Sequence, residues 1–600
     1  MANIMSQKSV RNKVHRNGFD LSFRNGFTAK VGQVLPVMCK EVLPGDKFNI
    51  DINAFARTQP VQTAAFTRIQ EYYDFYFVPT TLLWDKFDNF IVQTKNFAHA
   101  QSLTSAPSLN SGLHPYFTYK ELLNYLHWLR EMESSTPYTD IFGFSRYRNA
   151  LRILQYLDYG ITDTEVGNLG SAQVPPSGVF PNDIALNPFP LLAYQKICQD
   201  YFRFSQWETS QPQLCNLDYI FNDSTLKLPV SSYKTLGTDG YAVPSIFDLH
   251  YCNYKKDIIM GLLPSAQFGD TAIASPLSGG SLGQVFDYSF ESEGGSPAAA
   301  SMSSVNMSSG VFRFGTSDIS WPKIRLHAGD VDNGIGLSVF ALRFAEASQK
   351  WKEITQSGSL DYKEQIAKHW NVTVSDDQSY LSRWLGGTSG NISINEVTNT
   401  NLSDADSQAN IAGKGVASVS RNNVVNFTSN QYGYLLCIYH AAPVLDWTDL
   451  GIDRMNLKTH ASDYAIPEFD NIGMEEVPVA LLDMPLWASV SDAIPDYKSL
   501  GYAPRYFDYK TSMDKIRGAF NTSLVDWVAP LNPGTLELSG DAGDNNGVLF
   551  DWRSFKVSPS SVDSIFGVSA DSSYDTDQLL IASFFDIKCV RNLSVDGLPY

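Results

Sequence analysis

EVLPGDKFNIDINAFARTQPV (residues 41–61), followed by YYDFYFVPTTLLWDKFDNF (residues 72–90), decides the fold class of this 600-residue chain. Pro44, Gly45 and Asp46 form a turn signal. Beyond it Phe48, Ile50 and Ile52 alternate with Asn49, Asp51 and Asn53. That period of two predicts a strand with one buried and one solvated face. Thr58, Gln59 and Pro60 interrupt the pattern. The run from Tyr72 to Val78 is then nearly all aromatic or β-branched and stops at Pro79, which predicts a strand buried on both sides. Leu83, Phe87, Phe90 and Ile91 predict a short helix with one apolar stripe.

Working outward, Gln33 to Cys39 is apolar enough to be the first strand. Leu122, Leu123, Leu126 and Leu129 predict one helix, and Tyr147, Leu151 and Leu154 a second. Asn187 and Pro188 supply a cap and first-turn proline for a third, with Ala193, Ile197, Tyr201 and Phe204 along one face. Residues 261–320 are rich in Gly, Ser and Ala, so they bury little and form a surface excursion. Leu337, Phe340, Phe344, Ala347 and Trp351 predict a long amphipathic helix, with Ser338 as its cap and Gly358 beyond its end. The last third returns to strands, Tyr434 to Tyr439 among them.

Hydrophobic residues at 43%, aromatics at 13% and charged residues at 18% describe a globular chain with an aromatic core. A formal charge of −18 excludes a surface that coats nucleic acid all round. The charge is unevenly placed. Residues 1–30 hold Lys8, Arg11, Lys13, Arg16, Arg24 and Lys30 against the single acid Asp20. The plain reading is a solvated terminus; the functional one is an arm that meets phosphate, chiefly through Lys8, Arg11, Lys13 and Arg16.

The six cysteines lack metal-ligand spacing and read as reduced, buried hydrophobes. No secretory leader pattern opens the chain and no apolar run has the length of about 18 residues that a membrane span needs, so a cytosolic, uninserted protein is expected. Gly279 to Gly283 fits GxSxG, but no strand leads in and no helix leads out, as a nucleophile elbow requires. Phosphate-loop, dinucleotide and HExxH patterns are missing. His250 with Cys252 reads as a buried pair on a strand rather than a zinc site. Asp330, Asp332 and Asn333, and Asp541, Asp544 and Asn545, read as solvated acidic turns rather than calcium loops. No cofactor and no catalytic or metal-binding residue is expected.

EVLPGDKFNIDINAFARTQPV and YYDFYFVPTTLLWDKFDNF resemble the N-terminal signature of the major capsid proteins of the Microviridae, on the gokushovirus and alpavirus side of that family. Further similar stretches follow in the family's order: NPFPLLAYQKICQDYFRF (187–204), LLPSAQFGD (262–270), ALRFAEASQKWKEI (341–354) and YKEQIAKHWNVTVSD (362–376), where Trp370 replaces the common Phe. LGGTSGNISINEV (385–397), GYLLCIYHAAPVLDW (433–447), GYAPRYFDYKTSMDKIRGAF (501–520) and FFDIKCVRNLSVDGLP (584–599) complete the series.

The resemblance implies a mainly β fold with inserted helices, an eight-stranded antiparallel jelly-roll β-barrel with large loop insertions. It implies a basic arm at 1–30 and one jelly-roll domain at 31–600, with a helical insertion at 95–215 and a Gly/Ser-rich surface insertion at 261–335, a candidate for the threefold protrusions. The function implied is structural, a major capsid subunit and not an enzyme. About sixty copies would form an icosahedral shell around circular single-stranded DNA. Implied partners are other copies of the chain, a small basic DNA-binding protein, a pilot protein, a scaffolding protein, single-stranded DNA on the inner face and a host surface receptor. The location implied is the virion, assembled in the bacterial cytoplasm. Thirty tyrosines and eleven tryptophans also suit a secreted carbohydrate-binding or carbohydrate-cleaving β-sandwich, against which the missing leader pattern counts.

Overall fold

Alternation in the sequence becomes sheet in the structure, a computed structural model that describes residues 15–62, 65–66, 68–92, 114–133, 135–167, 184–220, 227–237, 240–269, 271–272, 287–291, 306–308, 311–313, 323–327, 339–398, 411–484, 499–529 and 550–595. The chain divides into two units, Met1–Ala266 with Gly358–Tyr600, and Gln267–Ser357.

The larger unit is built on one curled antiparallel sheet. Its strands are β1 (Asn17–Asp20), β2 (Phe23–Ala29), β3 (Leu35–Val42), β4 (Lys47–Thr58), β5 (Ile69–Pro79), β6 (Arg383–Thr398), β7 (Ile411–Thr428), β8 (Gly433–Pro443) and β9 (Leu579–Arg591). They are ordered β1-β9-β4-β7-β6-β5-β8-β3, with β2 also paired to β9. Among the described residues the sheet therefore has nine strands where eight were expected. The first strand is not Gln33 to Cys39: two strands precede it inside the basic N-terminal segment, and Gln33 makes only an isolated bridge to Tyr251.

β6 makes the curl. Residues 383–392 pair with β5, and residues 393–398 pair with β7, so one strand carries the sheet round a corner. A bulge after Trp384 and the glycines of LGGTSG lie in the part of β6 that pairs with β5. Gly387 lies so close to β5 that a Cβ there would sit 2.1 Å from Asp74 Oδ1 and 3.0 Å from the Tyr73 carbonyl.

Inside the curl the strands contribute alternate residues. In β4 these are Phe48, Ile50, Ile52, Ala54 and Ala56, all buried. Tyr73 and Phe27 each lie 5.1 Å from Tyr439, Phe75 lies 6.3 Å from Phe585, and Phe77 lies 4.8 Å from Phe427. Emptying one such ring costs about 3–5 kcal/mol.

The double-sided burial expected of β5 comes from helices on its other face. α1 (Tyr119–Glu131), α2 (Arg146–Tyr156) and α3 (Phe189–Ile197) form where the apolar spacing predicts them. Thr118 and Ser145 cap the first two, and Asn187 Oδ1 accepts the Phe189 N–H at 2.9 Å. α3 runs on into a π-turn, Cys198–Phe202, whose Tyr201 ring lies 4.8 Å from Tyr76 of β5. The helices share one continuous core with the sheet.

One local expectation changes. The helix after Pro79 is two short ones, Thr80–Leu83 and Phe87–Val92, which buries Leu83 and leaves Ile91 exposed. The Gly/Ser-rich stretch contains two antiparallel pairings, Asp287–Glu291 with Lys323–His327 and Asn306–Ser308 with Val311–Arg313. In the smaller unit a helix spans Val339–Gln356, and Trp351 packs edge-on against Phe268 at 6.4 Å. Leu337 and Ser338 of the expected stripe lie outside the described residues.

Candidate nucleic-acid interface

Of the expected phosphate contacts, Arg16 falls at the edge of the sheet. Lys8, Arg11 and Lys13 lie outside the described residues. Arg16 is described and exposed, immediately before β1. Its Nε donates to Asn592 Oδ1 at 3.1 Å, and its Nη2 donates to the Gly45 carbonyl at 3.3 Å. Both partners are neutral, so among the described residues the charge of Arg16 is uncompensated and three of its five N–H donors are spare. Asn17 Nδ2 donates to the Leu593 carbonyl at 2.6 Å, and β1 pairs along Lys588 to Arg591.

The turn that opens the deciding stretch receives this edge. Gly45 has φ +89°, which suits glycine, and a Cβ there would sit 2.7 Å from Asn592 Nδ2. Arg591 Nε lies 2.9 Å from Asp46 Oδ2, and its Nη2 donates to the Glu41 carbonyl at 2.6 Å. Arg591 is thereby structural, whereas Arg16 is available.

Lys30 belongs to the same basic segment but is unavailable to phosphate. It is buried, and its Nζ lies 2.7 Å from Asp577 Oδ1, with further bonds to the Ser573 carbonyl (2.6 Å) and Thr576 Oγ1 (2.9 Å). Arg152 reaches the same carboxylate and also Gln33 Oε1 at 2.5 Å. Sequence reading missed this knot because its members are hundreds of residues apart.

A cavity of about 510 Å³ lies beside α2 and the π-turn, lined by charged groups that are already matched. Arg146 holds Asp248 at 2.6 Å and Lys556 holds Glu208 at 2.9 Å. Asp140 accepts from Tyr251, Asn149 and the N–H groups of Phe142 and Phe144, so it has no lone pair to spare as a base. His250 Nε2 lies 2.6 Å from Gln195 Oε1, and Cys252 Sγ lies 3.8 Å from the Ala441 carbonyl. Burial pushes the His250 ring down to about 4 and the Cys252 thiol up to about 12.

All six cysteines are free. Among the described residues no group of three or more His, Cys, Asp or Glu is placed to hold a metal ion. No helix among them is long and apolar enough to cross a membrane. The GxSxG stretch and the two acidic turns lie outside the described residues.

Residues 8–136 and 176–599 match the family model described as capsid protein (F protein). The chain is 22% identical over 525 residues to capsid protein VP1 of Bdellovibrio phage phiMH2K, covering 85% of this chain and 83% of the relative. It is 22% identical over 654 residues to capsid protein VP1 of Chlamydia phage 1, covering 98% of this chain and 96% of the relative. A shorter match, 28% over 111 residues, is to capsid protein VP1 of Spiroplasma virus 4 and covers 18% of this chain and 20% of that protein. Residues 137–175, which include α2 and its Arg152, lie outside the family match.

Proposed function

The chain belongs to the phage capsid protein (F protein) family, and from that premise we propose that about sixty copies of this structural subunit close into one icosahedral shell around circular single-stranded DNA. The family match along most of the chain carries this reading and replaces the carbohydrate-binding one; the family is one of shell subunits, not enzymes. In the proposal the curled sheet is the jelly roll of a single domain, the helices of 95–215 and the Gly/Ser-rich 261–335 are its insertions, and the latter forms threefold protrusions and helps meet a host receptor.

Exposed aromatic and aliphatic side chains support self-association. Phe66 is 68% exposed and lies 5.5 Å from Trp527 and 6.1 Å from Phe520. Met455, Tyr464, Phe469, Ile472 and Tyr509 are also exposed. Aromatics and Met are enriched where protein surfaces meet. Many weak contacts suffice, since a subunit held by several neighbours leaves only when all release it.

The basic segment ending at Arg16 is the arm that meets the genome, through Lys8, Arg11, Lys13 and Arg16. An acidic body leaves much of the neutralisation to a small basic DNA-binding protein. A pilot and a scaffolding protein complete the particle, which is assembled in the bacterial cytoplasm. Electron microscopy and sedimentation of the purified protein test the reading. Closed isometric particles containing single-stranded DNA are expected; a monomer at high concentration overturns it.

A further inference from the structure

One half of the curled sheet leaves its outer face open. On β4 the outward row is Lys47, Asn49, Asp51, Asn53, Phe55 and Arg57, and an exposed aromatic ring in the middle of it asks for an occupant. The cross-strand register shows how the ring is set. Phe55 stands opposite Ser418 of β7 and Ala582 of β9, and Ala582 stands opposite Gly26 of β2. Its row neighbours are thus all small, so a flat group can reach a ring that is 38% exposed. The Arg57 guanidinium lies 5.1 Å from that ring's centroid. One row along, half-buried Phe584 stands between Asn53 and Arg24.

The charge of this face opposes that of the protein. Its outward rows carry Arg24, Lys47, Arg57, Lys414 and Lys588 against Asp20, Asp51 and Asp586, on a chain of net charge −18. Lys588 already offsets Asp20 at 2.7 Å and Asp586 at 3.0 Å. The other four cations have no ion-pair partner among the described residues. β1, which continues from Arg16, edges the same sheet, so the face is continuous with the proposed arm.

We propose that the outer face of β4, β7 and β9 is a platform for single-stranded nucleic acid: bases stack on Phe55 and Phe584, and phosphates meet Arg57, Arg24 and Lys47. Rings with adjacent cations on an open sheet bind single strands without sequence preference, because every base has a π-face. Asn53, which accepts from the Ser420 hydroxyl at 2.5 Å, offers its amide N–H groups to base edges. The inference rests on the reading that the shell encloses single-stranded DNA, and it names the subunit surface turned toward that DNA.

Hydroxyl-radical footprinting read by mass spectrometry at Phe55 and Phe584 tests it on three samples: dissociated subunit, DNA-free shell and DNA-filled particle. Both rings should be modified in the first two and protected several-fold in the third. Protection already present in the DNA-free shell means that a neighbouring subunit covers the face, and overturns the proposal. So does equal modification in empty and filled shells. Failure to obtain any closed particle instead removes the reading beneath it. The double substitution Phe55→Ser with Arg57→Ser, both on the solvent face, keeps the fold while weakening binding of a labelled oligo-dT to the subunit by about tenfold. An unchanged oligo-dT affinity contradicts the platform.

Discussion

Arg152 and Asp577 close a pair in the interior of the larger unit: Arg152 Nη2 donates to both carboxylate oxygens, at 2.7 and 2.9 Å, with the side chains 3% and 1% exposed. Lys30 binds the same carboxylate from the segment after β2. One acid thus ties α2 to the two ends of the sheet's chain path. Arg152 also stacks on Tyr574, 4.6 Å from its ring.

Asp577→Ala strands two buried cations, which is much worse than losing a surface ion pair. A destabilisation of about 3–5 kcal/mol is expected. Chemical denaturation of the dissociated subunit, or loss of soluble subunit on expression, measures it. A change below about 1 kcal/mol, the size of an exposed pair, contradicts the assignment.

Glu71 predicts a pH dependence from inside the curl. Burial raises its carboxyl from 4.5 to about 7, against weak opposing bonds from the hydroxyls of Tyr439 and Tyr73 at 3.4 Å. A raised carboxyl favours the protonated folded state. The contribution is full below about pH 4.5, falls as pH rises, and is gone above about pH 7, a swing of about 3 kcal/mol. Glu71→Gln should flatten that part of the subunit's stability profile and be the more stable form at pH 8.

His440 acts in the opposite direction. Its ring stacks on Tyr72 at 4.8 Å and meets Phe202 edge-on at 5.1 Å, and burial lowers it from 6.5 to about 4. A lowered histidine contributes fully above pH 6.5, and that contribution is lost as pH falls toward 4. His250 is lowered to the same value. The contributions of both rings are therefore lost over the same range of falling pH. His440→Phe should shift the acid-unfolding midpoint, read by tryptophan fluorescence, to lower pH.

The arm predicts a salt dependence. Replacing Lys8, Arg11, Lys13 and Arg16 by Gln should lower the slope of log affinity for single-stranded DNA against log salt by roughly three. The same substitutions should leave the subunit's denaturation midpoint unchanged, since Arg16 bonds only to neutral groups at an exposed edge. An unchanged slope assigns genome contact elsewhere.

The sequence by itself determined the strand character of 47–58 and 69–79, the helices at 119–131, 146–156 and 189–197, and the family to which the chain belongs. These are local signals: a side chain's neighbours at i+2 or i+4 decide which face it takes, and short motifs persist in order. It also placed Arg16 in a segment of net positive charge. Only the tertiary structure decided that Lys30 is a buried partner of Asp577 while Arg16 stays open, and that β1 and β2 complete the sheet. The burial of Tyr76 beneath Tyr201 and the small-residue setting of Phe55 were settled there too. Each depends on strands and helices brought together from distant parts of the chain, and pairing register, unlike periodicity, is not written in any one segment.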